Sequence, residues 1–175
     1  MDVDLVEEDA RRLPTDTSLS RGLIAVVRIV FGLLWLTTLS WKLPPEFATL
    51  KHFTSQAVSH PVFPPYSWVV ENVVLANFTP FGYLVILTEA SLGAFLILGL
   101  ATRFWALVGI AQTVAIALSV LNAPHEWSWA YYMMAMGHLA IFATAAGRTF
   151  GLDGLFRAVW MRWPGRIGRL MEMAS

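Results

Sequence analysis

The stretch FGYLVILTEASLGAFLILGLATRFWALVGIAQTVAIALSVL, residues 81–121, holds two apolar runs separated only by a short break near Thr102 and Arg103. A hydrocarbon core about 30 Å thick requires roughly 20 apolar residues of helix, and each half of the stretch approaches that length. So short a break turns the second half back alongside the first as an antiparallel helical hairpin.

Two further runs of the same kind flank this hairpin, at residues 22–41 and 127–147. The expected fold is therefore all-α: a polytopic membrane protein built as an antiparallel bundle of four transmembrane helices, with spans near 22–41, 81–101, 104–121 and 127–147. Composition agrees, with 57% hydrophobic and 14% charged residues over 175 positions and a mean hydropathy of +0.59. A soluble domain of this length needs more polar surface.

The remaining segments divide the chain. Residues 1–20, acidic and then rich in Arg, Ser and Thr, read as a mobile cytoplasmic tail, and residues 21–155 form the membrane domain. Within it, residues 42–80 read as an extracytoplasmic cap whose portion from Tyr66 to Phe78 is amphipathic or re-entrant. Residues 156–175 interleave arginines with Phe156, Val159, Trp160, Trp163 and Ile167, the pattern of a basic interfacial segment, broken at Pro164 and Gly165 and resting on anionic lipid.

Orientation follows from positive charge. If four spans alternate, Arg11, Arg12, Arg21, Arg103, Arg148, Arg157, Arg162, Arg166 and Arg169 share one side, and the other receives Lys42 and Lys51. Both termini are then cytoplasmic in a multi-pass protein of the cell membrane. The first run does not read as a cleaved signal peptide, since acidic residues precede it and Arg28 interrupts it.

Arg28, Glu89 and His138 each fall inside an expected span. An ionisable group there costs about 2.5–3.5 kcal/mol on insertion scales, so it faces the interior and finds a partner. Counting about 1.5 Å per residue puts Arg28 roughly 10 Å deep, Gln112 and His138 about 13 Å and Glu89 about 18 Å. Arg28 and Glu89 are the expected ion pair, with Gln112 and His138 completing the network. Gly32 and Gly93, each four residues beyond a charged partner, allow the helices to approach closely. Such a network either pins helix register or handles a ligand or protons, and the residues alone leave both open.

Other chemistry is narrowed by omission. The chain contains no cysteine, which removes disulfides, thiolate redox and Cys-ligated clusters held by this chain. His52, His60 and His125 match no metal-ligand spacing, so no metal site is expected. No phosphate-cradling loop or nucleophile motif is present, and nothing suggests a nucleic-acid partner. Trp127, Trp129, Tyr131 and Tyr132 open the last span as an aromatic belt, and Trp129 and Tyr132 could also line a pocket for a flat ring.

RIVFGLLWLTTLSWKLPPEF, with Arg28, Gly32 and Lys42, is similar to the first helix of the DoxX/DoxD family of small four-helix membrane proteins. TEASLGAFLILGLATRFWAL, with Glu89, Gly93, Gly99 and Arg103, resembles that family's second helix, and EWSWAYYMM with AAGRTFGLD resembles its last helix and exit turn, leaning to the DoxD branch. DoxD resembles the membrane subunit of thiosulfate:quinone oxidoreductase, which passes electrons from thiosulfate to a membrane quinone and yields tetrathionate.

The resemblance implies a quinone-dependent oxidoreductase subunit, with quinone as substrate or bound lipid and no covalently bound cofactor. On that reading Arg28 polarises a quinone oxygen and Glu89 or His138 delivers protons, making these the candidate catalytic residues. Gln112, Trp129 and Tyr132 are the candidate quinone contacts, and Lys42, Lys51 and His52 would attract the thiosulfate dianion. The thiosulfate enzyme includes a second, smaller subunit, so the chain is expected to work within a membrane complex. The alternative is a non-catalytic accessory or assembly subunit of a larger respiratory complex, whose polar network only holds the bundle together.

Overall fold

The computed structural model describes residues 17–163 and 165–175, and among these it contains helices and turns but no strand. The expected tail lies, up to Asp16, outside the described residues, as does Pro164 of the expected break. Helix α1 spans Ser18–Thr37, with Thr17 as its N-cap, and continues into a 3-10 turn, Thr38–Trp41. A short helix α2, Ala48–Ser59, comes next.

Helix α3, Pro64–Val69, carries its prolines in the first turn, where a missing N–H costs nothing. Pro64 and Pro65, residues that usually break helices, here start one. The chain continues through a π turn, Val70–Val74, and a 3-10 turn, Leu75–Asn77, into α4, Phe78–Leu98. Pro80 lacks the N–H that a regular helix would bond four residues back, consistent with the irregular turns just before it. The segment from Tyr66 to Phe78, expected as part of a separate cap, is therefore continuous with the second span in one 35-residue run, Pro64–Leu98.

Helix α5 spans Thr102–Val120 and α6 Ser128–Ala143. A 3-10 turn, Ala146–Arg148, leads to α7, Leu152–Trp160, and then α8, Arg166–Ala174. Among the described residues, three helical runs are long and apolar enough to cross a membrane: Ser18–Trp41, Pro64–Leu98 and Thr102–Val120. The fourth expected span is a shorter helix of 16 residues, about 24 Å at the usual rise. It stops early because Ala145 turns left-handed, at φ 46°.

Helices α1 and α4 run antiparallel: Arg28 meets Ile97 and Thr38 meets Glu89, so rising numbers on one match falling numbers on the other. Their backbones touch where small residues face each other. A Cβ added to Gly32 would lie 2.8 Å from the Gly93 carbonyl oxygen, and one added to Gly93 would lie 2.9 Å from that of Gly32. The expected close approach is present. Helices α5 and α6 pair in the same antiparallel sense, with His138 seated against Gly109.

Trp35, Leu92, Leu96, Ala106 and Ile141 form the central core, and Phe47, Leu50, Phe78 and Val85 form a second cluster toward the end that carries α2. The outer face of α1 is the reverse of a soluble helix, since Leu23, Val26, Val30, Leu33 and Leu34 remain exposed. An apolar surface of that kind is stable against lipid chains and unfavourable in water.

Candidate functional site

The polar groups of the interior separate into three positions, one around Glu89, one around Arg28 and one at His138. Glu89 is 1% exposed, and its partner is Lys42, itself 3% exposed, whose ammonium donates to Oε2 as a close ion pair. The Thr38 hydroxyl lies 3.2 Å from the same oxygen, and Gln112 Nε2 donates to Oε1 at 3.1 Å. Both carboxylate oxygens thus have partners, from the turn that follows α1 and from α5.

Arg28 is not part of this group, which corrects the expected Arg28–Glu89 pair. Its guanidinium donates through Nη2 to the Phe150 carbonyl at 2.9 Å and through Nη1 to the Ile97 carbonyl at 3.4 Å. Ile97 lies eight residues beyond Glu89 on α4, about 12 Å along the axis. The long side chain of Arg28 reaches toward the near end of the bundle, and that of Lys42 reaches inward from the far end. Both heads therefore sit away from their own Cα positions, which depth counting cannot show.

Around Arg28 the two stretches ending in Gly-Leu-Ala-Thr-Arg and Gly-Leu-Asp interlock. Asp153, fully buried, accepts from the Ala101 N–H at 2.7 Å and the Thr102 N–H at 2.9 Å, so it caps α5 from about fifty residues away. Charged caps of this kind give strong hydrogen bonds and complement the positive end of the helix. Gly99 takes a left-handed φ of 67°, and a Cβ there would strike Nη1 of Arg28. This end of the bundle is a structural lock.

His138 occupies a third position. Trp35 Nε1 donates to its Nε2 at 2.9 Å, so Nδ1 carries the proton and donates to the Met134 carbonyl at 2.7 Å. Both ring nitrogens are used by the protein, with Phe31 edge-on at 5.1 Å.

Above the Glu89 group lies a cavity of about 580 Å³, within the range of small-molecule sites. Trp35, Trp41, Phe53, Tyr66, Phe81 and Tyr131 wall it with aromatic rings, and Lys42, Glu89 and Gln112 supply polar groups. Leu84 and Val69, 59% and 42% exposed, line it too, so an apolar rim connects it with the outside of the bundle.

Of the remaining sequence-predicted site residues, Gln112 and Lys42 belong here, Lys42 as the partner of Glu89 rather than on an outer surface. Trp129 and Tyr132 do not line the cavity: they are 64% and 60% exposed, and Tyr131 faces it instead. Helix periodicity turns neighbouring residues to different sides. Lys51 and His52 are exposed on α2, Lys51 with its ammonium 5.9 Å from the Phe78 ring and His52 beside Phe53. Among the described residues no cluster able to hold a metal ion occurs.

Long apolar helices around a small buried polar centre define a polytopic membrane protein with an internal site. The sequence profile of the DoxD family, described as the TQO small subunit DoxD, matches residues 24–168. The chain belongs to the DoxD family. That description names DoxD a small subunit, which suggests that other subunits accompany it. No curated protein and no solved structure matches the chain.

Proposed function

We propose that the chain is the membrane subunit of a quinone-linked oxidoreductase, with the quinone site in the aromatic-walled cavity above Glu89. The observation that carries this reading is the cavity's composition: flat aromatic walls, an apolar rim and a polar cluster made by Lys42, Glu89 and Gln112. A quinone headgroup presents the matching surface, a flat ring with carbonyl oxygens that accept hydrogen bonds.

In this reading Lys42 donates to one quinone oxygen, stabilising the negative charge that develops there as electrons arrive. Each quinone takes two electrons and two protons. Lys42 passes one proton to the reduced oxygen and is reprotonated by water, which also supplies the second proton, while Glu89, itself held by Gln112, keeps the ammonium in position. With thiosulfate as donor, two thiosulfates are oxidised to one tetrathionate and the two electrons reduce one quinone. Arg28 and His138, engaged elsewhere, position the helices. Lys51 and His52, exposed at the same end, would draw the dianion. Helix α6 makes the fourth crossing, and the arginine-bearing end with both termini faces the cytoplasm of the cell membrane.

A second reading, a non-catalytic subunit of a larger complex, draws support from the complete pairing of Glu89 within the protein. Quinone binding separates the two. Trp35 and Trp41 line the cavity, so a short-chain quinone should quench tryptophan fluorescence saturably in the purified protein. Phe81→Trp should strengthen the signal, and Lys42→Met should weaken binding at least tenfold. Absence of saturable quenching, together with unchanged quinone reduction by the native complex carrying Lys42→Met, would sink the quinone reading in favour of the second.

A further inference from the structure

At the end of the bundle opposite the aromatic cavity, five arginines converge. Arg103 from the first turn of α5, Arg148 from the turn after α6, Arg157 from α7, and Arg166 and Arg169 from α8 line a second cavity of about 700 Å³. Glu172 is the single carboxylate side chain lining it, and it already faces Arg157 at 3.4 Å. Arg148 donates to the Ser175 backbone oxygen at 3.0 Å, and the Arg103 guanidinium lies 4.5 Å from the Phe142 ring. These contacts leave donors over. Arg103 Nε and Arg157 Nη1 are buried with no hydrogen-bond partner among the described residues.

Five guanidiniums facing one carboxylate side chain in a shared cavity repel one another and offer more donors than they have acceptors. The crowding shows at Arg148, whose pKa is pushed below the ordinary arginine value by burial first and then by Arg157 and Arg103, with Asp153 and Glu172 opposing. Natural proteins rarely leave buried donors unpaired, and where they do a bound partner is one explanation. The surroundings state what kind of partner. Leu170 and Met173 line the same cavity, and Leu155, Val159, Trp163 and Ile167 stand exposed on or beside the two amphipathic helices. Polyanion recognition next to apolar surface at a membrane interface matches a lipid headgroup with its acyl chains attached.

We infer that the cavity formed by Arg103, Arg148, Arg157, Arg166 and Arg169 is a binding site for an anionic phospholipid, its phosphate groups held by the guanidiniums and its chains running along the apolar face of α7 and α8. Arginine suits this task because its planar fork pairs with two phosphate oxygens at once. The net excess of positive charge favours a headgroup with two phosphates over one. The site is separate from the aromatic cavity and does not depend on the quinone reading.

Native mass spectrometry of the full chain in neutral detergent provides the test, with added diphosphatidylglycerol, phosphatidylglycerol or phosphatidylcholine. Diphosphatidylglycerol should be retained most strongly and phosphatidylcholine not above background. The double variant Arg148→Gln/Arg157→Gln should retain at least tenfold less, whereas Arg162→Gln, at an exposed position outside the cavity, should behave as the parent. Should the double variant not fold, Arg169→Gln on the exposed face of α8 serves in its place, with severalfold loss expected. Equal loss with Arg162→Gln would mean diffuse surface charge and overturn the site. Inorganic pyrophosphate binding with no lipid retained would also overturn it, identifying a small-anion site instead.

Discussion

Lys42 extends from the turn that ends α1 to place its ammonium against Glu89, near the middle of α4, and both side chains are withdrawn from solvent. Two opposite charges buried together lose their hydration and recover it only through each other and their hydrogen bonds. Either one alone is the costly state.

That asymmetry makes a thermodynamic cycle informative. Glu89→Ala alone should cost about 3–5 kcal/mol, because it strands the ammonium, whereas Lys42→Met/Glu89→Leu should be close to neutral. Thermal unfolding in detergent measures both. A double variant as unstable as the single one would mean that Thr38 and Gln112, not the pair, hold the region together.

Arg28 belongs to the lock at the opposite end. Arg28→Lys keeps the charge but loses the fork that reaches both Phe150 and Ile97, and should cost about 1.5–3 kcal/mol of stability. Quinone affinity should change less than about twofold, since the two sites share no partner. Titration of the folded variant by fluorescence quenching checks this, and a large affinity loss would restore Arg28 to the binding site.

Gly93 and Gly22 offer a matched comparison on crossing and free faces. Gly93→Ala would drive a methyl group into Leu36 and the Gly32 carbonyl, and should destabilise by about 1–3 kcal/mol as overpacking does. Gly22→Ala meets nothing within 4 Å and should be neutral or stabilising by up to about 1 kcal/mol. Their melting temperatures should diverge in that order.

Asp153→Asn tests the remote cap. Only one amide oxygen remains to accept from Ala101 and Thr102, and the NH2 group opposes the other N–H. A loss of about 1–3 kcal/mol is expected, visible as faster hydrogen exchange at the first turn of α5 than elsewhere in that helix.

Much of this arrangement is readable in the residues. Length and apolarity specify the helical hairpin, Gly32 and Gly93 mark the contact of α1 with α4, and the isolated polar groups point to an interior site. The ion pair escapes such a reading because depth counts Cα positions, while Arg and Lys carry their charge several ångströms away. One signal for the true partner is present: Arg28, Gly32, Trp35 and Lys42 recur at helical spacing, so the inward face of α1, extended past the end of the helix, leads to Lys42. Asp153 has the sequence surroundings of a turn residue, and only three-dimensional proximity reveals that it caps a helix begun at Thr102. Pro64 and Pro65 mark a boundary correctly but not its kind, since proline both stops helices and starts them.

The Arg28 contact with Phe150 joins positions 122 apart in the chain. During synthesis the first helix enters the bilayer with a guanidinium whose acceptor has not yet been translated, so the nascent protein must shelter that charge until its last portion emerges. The hypothesis this suggests is that quality control acts late: chains halted just before Phe150 should be cleared rapidly by membrane proteases, and chains halted after Asp153 should persist. Equal lifetimes in a pulse-chase comparison would show that the earlier helices settle without help from the C-terminal ones.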